Sequence, residues 1–344
     1  MNAGTSASAA TAPIGVLLLN LGGPERLEDV RPFLYNLFSD PAILRIRSAP
    51  LRKGLAWLIA TARNRKSCGY YRKIGGGSPL RRLTEEQASA LGSRLAAEGV
   101  EARVYVGMSC WKPTIAEAVE RIVADAVQEL VILPLYPQFS TTTTGSALEA
   151  VEGALGGRGF TPGRSTVIRQ WCDFPPYVEA LATTIREEAA RFPDPEPSRI
   201  HLLYSAHSIP RRLVEEGDPY LEQTERTVAR VNAALGDRSP WTLAFQSKVG
   251  PVKWLEPSTN DALSSLGAAG ARQVLAVPVS FVSDHIETLY EIDLLYAGLA
   301  ASVGIGVFRR APALNARPDF VAALAALVRA ARDGGTAFAA ASAE

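Results

Sequence analysis

The sequence predicts an α/β protein made of two duplicated Rossmann-like units, each a doubly wound, four-stranded parallel sheet. Three observations carry this. Short apolar runs rich in branched residues alternate with helix-period stretches, the pattern of a parallel sheet covered on both faces. The first half of the chain matches the second, motif by motif and in the same order. The residues with chemistry gather just after strand ends, where ligands sit in open α/β sheets.

Length and composition are those of a globular protein: 344 residues at 47% hydrophobic content can fill two cores. A net charge of +1 gives no overall attraction to nucleic acid. No apolar run approaches the roughly 20 residues that span a bilayer. The opening MNAGTSASAATA (1–12) has neither the basic start nor the apolar centre of a secretory signal and is expected to be a disordered tail on a cytoplasmic protein. Cys68, Cys110 and Cys172 lie far apart with no CxxC pair, so they are expected to be free core thiols.

Taken in order, Ile14 to Asn20 (IGVLLLN) reads as a buried strand that opens an N-terminal unit spanning 13–174. LNLGGPERL from Leu19 has a counterpart in SAHSIPRRL from Ser205, which lays Pro24 on Pro210, Leu27 on Leu213 and Leu21 on His207. GSP at Gly77 matches GDP at Gly217, and each precedes a long helical pattern. RVYVGMS, ending at Ser109, matches TLAFQS, ending at Ser247. LVILPLYP from Leu130 matches VLAVPVSF from Val274, with Pro134 on Pro278. VIRQ at Val167 and VFRR at Val307 are the last strands, and YVEAL at Tyr177 and FVAAL at Phe320 begin the helices after them. The common order marks an internal duplication, and the right-handed crossover rule makes each unit doubly wound. A connecting helix and the linker PDPEPS fill 175–198, the second unit spans 199–312, a C-terminal helix at 313–333 packs back, and 334–344 frays.

The first unit carries an insertion at about 31–76 where the second has only a handful of residues. From Ala42 to Gly76 it holds nine Lys or Arg and no acid. Leu51, Leu55, Leu58, Ile59 and Ala62 share one helical face next to Trp57. Two readings stand. One is a lip that meets something apolar and anionic, such as a membrane surface or a carboxylated flat ligand. The other is a core-facing amphipathic helix with solvated basic flanks.

Two of the three histidines, His207 and His285, stand just past strand ends. After the strand at Val274, Asp284, Glu287 and Glu291 fall at i, i+3 and i+7, with no Lys or Arg from Asp284 to Asp293, so three carboxylates share a helical face. A solvated, acidic helix start is the bland explanation. As a site, the pattern offers an imidazole that takes a proton near neutral pH and close carboxylates that raise one another's pKa. Without a third ligand, such a pair holds a metal only in passing. In the duplication DHIET overlays STTTT (Ser140 to Thr144), so a cleft between the units has one reactive wall and one neutral wall.

LNLGGPE, YYRKIGGGSPL, LYPQFSTTTTGS, LLYSAHSIP, GDPY, AFQSKVGPVKWLEP and FVSDHIETLYEID together resemble the ferrochelatase family from about Ile14 to Phe320, in order. The resemblance implies a two-lobed chelatase fold and a lyase that inserts ferrous iron into protoporphyrin IX, releasing two protons, as the last step of haem synthesis. It implies His207 and Glu287 as the metal-binding, proton-accepting pair, with Asp284, His285 and Glu291 as an acidic track. Leu21 would press on the macrocycle opposite His207. Tyr136, Ser140 and Thr141 would line the passive wall, and Tyr71, Arg72 and Trp254 would also contact substrate. The insertion would be the porphyrin lip.

Iron is then a substrate, with no permanent cofactor; the C-terminal cysteines that hold an iron–sulfur cluster in some relatives are absent from this sequence. The implied partners are the porphyrin, ferrous iron and an anionic membrane touched peripherally, with no nucleic acid, for a monomer or weak dimer. One departure stands out. Family members commonly carry an Arg and an aromatic after the second strand, whereas this chain has Ser109 and Cys110. The contact to a porphyrin propionate is then missing, or supplied by Arg72, Lys73 or Lys112. A two-lobed solute-binding protein would share the duplication, and a chelatase for another metal or ring is the nearer rival.

Overall fold

The computed structural model describes residues 13–248, 250 and 252–334. The tails expected at 1–12 and, apart from Gly334, at 334–344 lie outside the described residues.

The first half runs β1 (Ile14–Asn20), α1 (Val30–Ser39), α2 (Ala49–Lys73), α3 (Leu80–Ala97), β2 (Ala102–Met108), α4 (Ile115–Ala124), β3 (Glu129–Pro134), a π-helical turn (Thr141–Gly145), α5 (Ser146–Gly156) and β4 (Arg164–Val167). After α6 (Pro175–Ala189) the second half repeats the plan. It comprises β5 (His201–His207), α7 (Arg211–Glu215), α8 (Tyr220–Ala234), β6 (Trp241–Gln246), α9 (Thr259–Ala268), β7 (Gln273–Pro278), a π-helix (Glu287–Tyr296), α10 (Ala297–Ser302) and β8 (Val307–Arg310). The last helix is α11 (Pro318–Arg332).

Both sheets are parallel and four-stranded, in the orders β2-β1-β3-β4 and β6-β5-β7-β8, so the duplication extends to topology. The central strand β1 is buried along its whole length, as its unbroken apolar run requires. Alternate residues serve opposite layers: Val16 and Leu18 enter a core shared by both halves, whereas Leu17 and Leu19 pack on α4 and α5. In β5, Leu202, Tyr204 and Ala206 enter the shared core and Leu203 turns to the outer layer of α9, the π-helix and α10.

Strand pairing fixes the equivalence of the halves independently of the motifs. Leu19 pairs with Pro134 and Ser205 with Pro278, so two residues later Leu21 stands at the end of the first sheet where His207 stands at the end of the second. One motif match shifts. Leu19 pairs with Gly107 and Ser205 with Ala244, which puts Ser109 opposite Gln246 and Cys110 opposite Ser247, one residue from the sequence match. The ladder of hydrogen bonds decides register; side-chain likeness does not.

The closing helices are exchanged. Helix α6, which follows the first sheet, packs on α8 and β7 of the second half. Helix α11, which follows the second sheet, packs on α3, β3 and β4 of the first. Neither half therefore completes its own inner layer, and the shared core holds residues of both sheets with α3, α6, α8 and α11.

The insertion folds as α1 and α2. Its buried face is made of small residues, Ala56, Ala60 and Cys68 with Tyr71, packed on Phe33, Leu34 and Phe38 of α1. The larger apolar side chains point away: Leu51 is 68% exposed, Leu58 57% and Trp57 53%. A core-facing amphipathic helix would bury those three residues.

Candidate active site

Three strand ends meet in the second sheet. β5 ends on His207, which pairs with Gln246 at the end of β6; β7 ends on Pro278, and residues 279–286 turn back into the π-helix. His207 is thus held at the end of a central strand, with 39% of its side chain exposed. Phe281 packs edge-on to both His207 and His285. The Tyr220 hydroxyl donates to the His207 carbonyl at 2.8 Å.

The His207 Nδ1–H donates to Glu287 Oε2 at 2.9 Å. Nε2 has no protein hydrogen-bond partner among the described residues. Burial opposes charge on both groups, yet their mutual attraction wins: Glu287 is held well below the usual carboxylate range and His207 above the usual imidazole value. His285 brackets Glu287 from the other side, its Nε2 4.0 Å from Oε1. Its Nδ1–H donates to the Ser283 carbonyl at 3.1 Å, and burial lowers its pKa, so it presents a neutral lone pair toward Glu287.

Glu291 stands behind this group. Burial and then the charge of Glu287 push its pKa up to about 7. Ser247 joins the two acids, its Oγ 2.8 Å from Glu287 Oε2 and 2.6 Å from Glu291 Oε2. A hydroxyl carries one proton and can donate to one carboxylate only, so the other acid must itself be protonated. Glu291 is that acid. Gln246 reinforces the bridge, donating to the Glu287 carbonyl and to Glu291 Oε2, both at 3.2 Å. Ser247 holds a left-handed backbone, φ 66°, which costs about 1 to 3 kcal/mol in a serine and is sustained by these bonds. Sequence reasoning quoted Gln246 and Ser247 within a motif and gave them no role. Their place at the end of the strand beside His207 was the available signal.

The expected row of three acids is a row of two. Asp284 faces the other way, its Oδ1 3.0 Å from Arg310 Nη1 and its Oδ2 accepting from Asn315 Nδ2 at 2.9 Å. The compensating cation comes from β8, so the local lack of Lys or Arg did not reveal it. Tyr71 is buried near Glu287; burial and that charge hold its phenol protonated. Arg72 is exposed. Leu21 packs in the insertion's apolar cluster with Trp111, Tyr71 and Ile286, the residue before Glu287. The Tyr136 phenol oxygen and the Trp254 indole nitrogen are buried and make no well-formed hydrogen bond among the described residues.

Ser140 and Thr141 depart most from expectation. The Ser140 and Thr141 hydroxyls and the Thr141 amide all donate to Asp218 Oδ2, at 3.0, 2.8 and 2.8 Å. The hydroxyl-rich segment therefore fastens the first half to the GDP turn of the second, because a buried carboxylate without a cation needs several donors.

Glu291 makes stability depend on pH. An unfolded glutamate ionises near 4.3, whereas the fold holds this one protonated to about 7. Its contribution is full below the unfolded value and lost as pH rises through the folded one. Glu291→Gln stays neutral throughout. The melting temperature of that variant, relative to wild type, should gain a few degrees between pH 5 and pH 8 in thermal scans; a difference that stays flat would contradict the buried neutral acid.

Comparison with known proteins gives the family. Residues 13–332 match the family described as Ferrochelatase. A protein named Ferrochelatase from Thermosynechococcus vestitus is 52% identical over 317 residues, covering 92% of this chain and 81% of its own. Another of that name, from Synechocystis sp., is 50% identical with the same coverage. The solved structure of SirB from Bacillus subtilis with Fe3+ has a TM-score of 0.55 at 13% identity, covering 95% of this chain and 98% of its own, a likeness of fold alone. With the family profile spanning nearly every described residue and half of all aligned positions identical in proteins of that name, the chain belongs to the ferrochelatase family.

Proposed function

We propose that the protein inserts ferrous iron into protoporphyrin IX to give protohaem, with His207 and Glu287 receiving the metal and the two pyrrole protons. The observation that most supports this reading is the His207–Glu287 pair itself, joined at 2.9 Å at the open end of a central strand and backed by a second acid of raised pKa. The porphyrin must give up two protons as the dication enters. In the resting pair one proton already lies between His207 and Glu287, and approach of a cation expels it, because a nearby metal disfavours the imidazolium. His207 is then a base for a pyrrole N–H. Glu287 passes protons through the Ser247 hydroxyl to the Glu291 side, where a carboxyl titrating near pH 7 exchanges them with water. Two protein donors are a loose hold on a cation, which suits one in transit. Titrating the protein with protoporphyrin, then with ferrous iron or zinc, should collapse the free-base visible bands into the two-band metalloporphyrin spectrum. A protein that binds the ring without catalysing that change would refute the activity.

The lip reading extends to a membrane. No helix among the described residues is long and apolar enough to cross one. Of the nine cations from Ala42 to Gly76, Arg45 alone has an acidic partner among the described residues, Glu216. Arg52 is spent on backbone carbonyls, and Arg63, Lys66 and Lys73 lie over aromatic rings. Arg47, Lys53, Arg65 and Arg72 are exposed, as are Leu51, Trp57 and Leu58 of the same segment. Each basic residue near an anionic surface contributes about 1 kcal/mol, enough for weak, salt-sensitive attachment through this lip. Sedimentation with phosphatidylglycerol vesicles should capture the protein at low salt, release it at about 0.5 M salt, and capture Leu51→Ser/Leu58→Ser poorly. Equal capture by neutral vesicles would contradict it.

A further inference from the structure

The π-helix beside the site is ten residues long, whereas π-helical segments are normally single turns. Something must hold this pitch. Asp284 stands just before the helix, and its partner Thr288 opens a face that at α pitch would continue to residue 292. Here that face continues to Asp293. The Thr288 hydroxyl donates to Asp284 Oδ1 at 2.9 Å, while Ile292 is fully buried in the outer core. One extra residue in the turn after Thr288 brings Asp293 into line.

Arg310, at the end of β8, grips both ends of that face. Nε and Nη2 donate as a fork to Asp293 Oδ1 and Oδ2 at 2.7 and 2.9 Å, and Nη1 lies 3.0 Å from Asp284 Oδ1. Asp284 is braced in turn by Asn315, whose Oδ1 accepts from the Asp284 amide and whose carbonyl accepts from Gln87 of the first half. If the segment relaxed to α pitch, Ile292 would rotate toward the guanidinium and Asp293 away from it. A largely buried cation would then face an apolar side chain, which is strongly unfavourable. Glu287 and Glu291 lie on the same helix, on the side turned to His207 and Ser247.

We propose that Arg310 is a positioning residue that reads the π pitch and so keeps Glu287 and Glu291 aimed at His207 and Ser247. The inference rests on the proposed roles of those acids for its effect on turnover, but the pitch itself can be measured without catalysis. Arg310→Gln removes the fork. The variant should fold, because Asp284 keeps Asn315 and Thr288, and the Asp293 side chain, 34% exposed, can be hydrated. Its kcat for zinc insertion should fall about 10- to 100-fold, as for partners that orient a metal site, with KM for porphyrin within about twofold. Hydrogen exchange read by mass spectrometry should speed up in 284–296 and nowhere else. Arg310→Lys keeps the charge without the fork and should recover only part of kcat. Asp293→Asn, which leaves Arg310 paired with Asp284, should show the same local exchange with a smaller loss. Wild-type kcat and exchange in folded Arg310→Gln would overturn the clamp, and so would full recovery by lysine, which would assign the effect to charge alone. Should Arg310→Gln fail to fold, wild-type exchange in Asp293→Asn would overturn it too. Because exchange is independent of turnover, it reports on the clamp even if the protein inserts no metal.

Discussion

His207→Ala should abolish metal insertion, with a loss of at least about 1,000-fold in kcat, because it removes the imidazole that is paired with Glu287 through Nδ1 and leaves Nε2 open at the strand end. The loss should be one of chemistry. His207 ends a strand and is partly open to water, so alanine there creates a hydrated gap in place of a dry cavity. The orphaned Glu287 keeps its bond to Ser247 and regains water, and its pKa returns toward the ordinary range once the imidazolium is gone. The variant should therefore stay folded and bind protoporphyrin, which quenching of porphyrin fluorescence would report. Wild-type turnover in a soluble, folded His207→Ala protein would remove the central claim.

Glu287→Gln ranks second. Glutamine keeps the volume and can still accept from His207, but it holds no charge to favour the imidazolium and no site for a second proton. A loss of at least about 100-fold is expected, together with a lowered His207 pKa, which nuclear magnetic resonance of the imidazole protons would show directly. Glu291→Gln should cost roughly tenfold or less, since Glu291, whose pKa is pushed up to about 7, carries its charge only part of the time at neutral pH and reaches the site only through Ser247. Small, equal losses from both substitutions would say that the π-helix offers a solvated acidic face and no relay.

What could be read from the sequence followed from features that are local or repeated. IGVLLLN had to be a central strand because no half-buried strand tolerates seven consecutive apolar or amide residues. The Leu21 and His207 equivalence followed from paired prolines, and the strand ladders reproduce it. The unread part depends on partners far along the chain. Asp284 looked like a free acid because Arg310 is 26 residues away on another strand, and STTTT looked like a wall because its partner, Asp218, lies in the other half. The π pitch was hidden too. A helical face assumed at i, i+3, i+7 predicts Asp284 with Glu291, whereas the extra residue per turn pairs Asp284 with Asp293 through Arg310.

The exchange of α6 and α11 sets an order on how the chain can fold as it is made. The first sheet is complete in the nascent chain at β4, yet the helix that covers its inner face, with Phe320, Leu324 and Leu327 almost wholly buried, comes from the last fifteen described helical residues. At elongation rates of about 5 to 20 residues per second, β4 waits roughly 8 to 30 seconds on the ribosome for α11. Through that interval the apolar inner face of β3 is bare toward the side that α11 will occupy. Truncation within α11 would leave the oldest part of the chain, not the newest, without its cover.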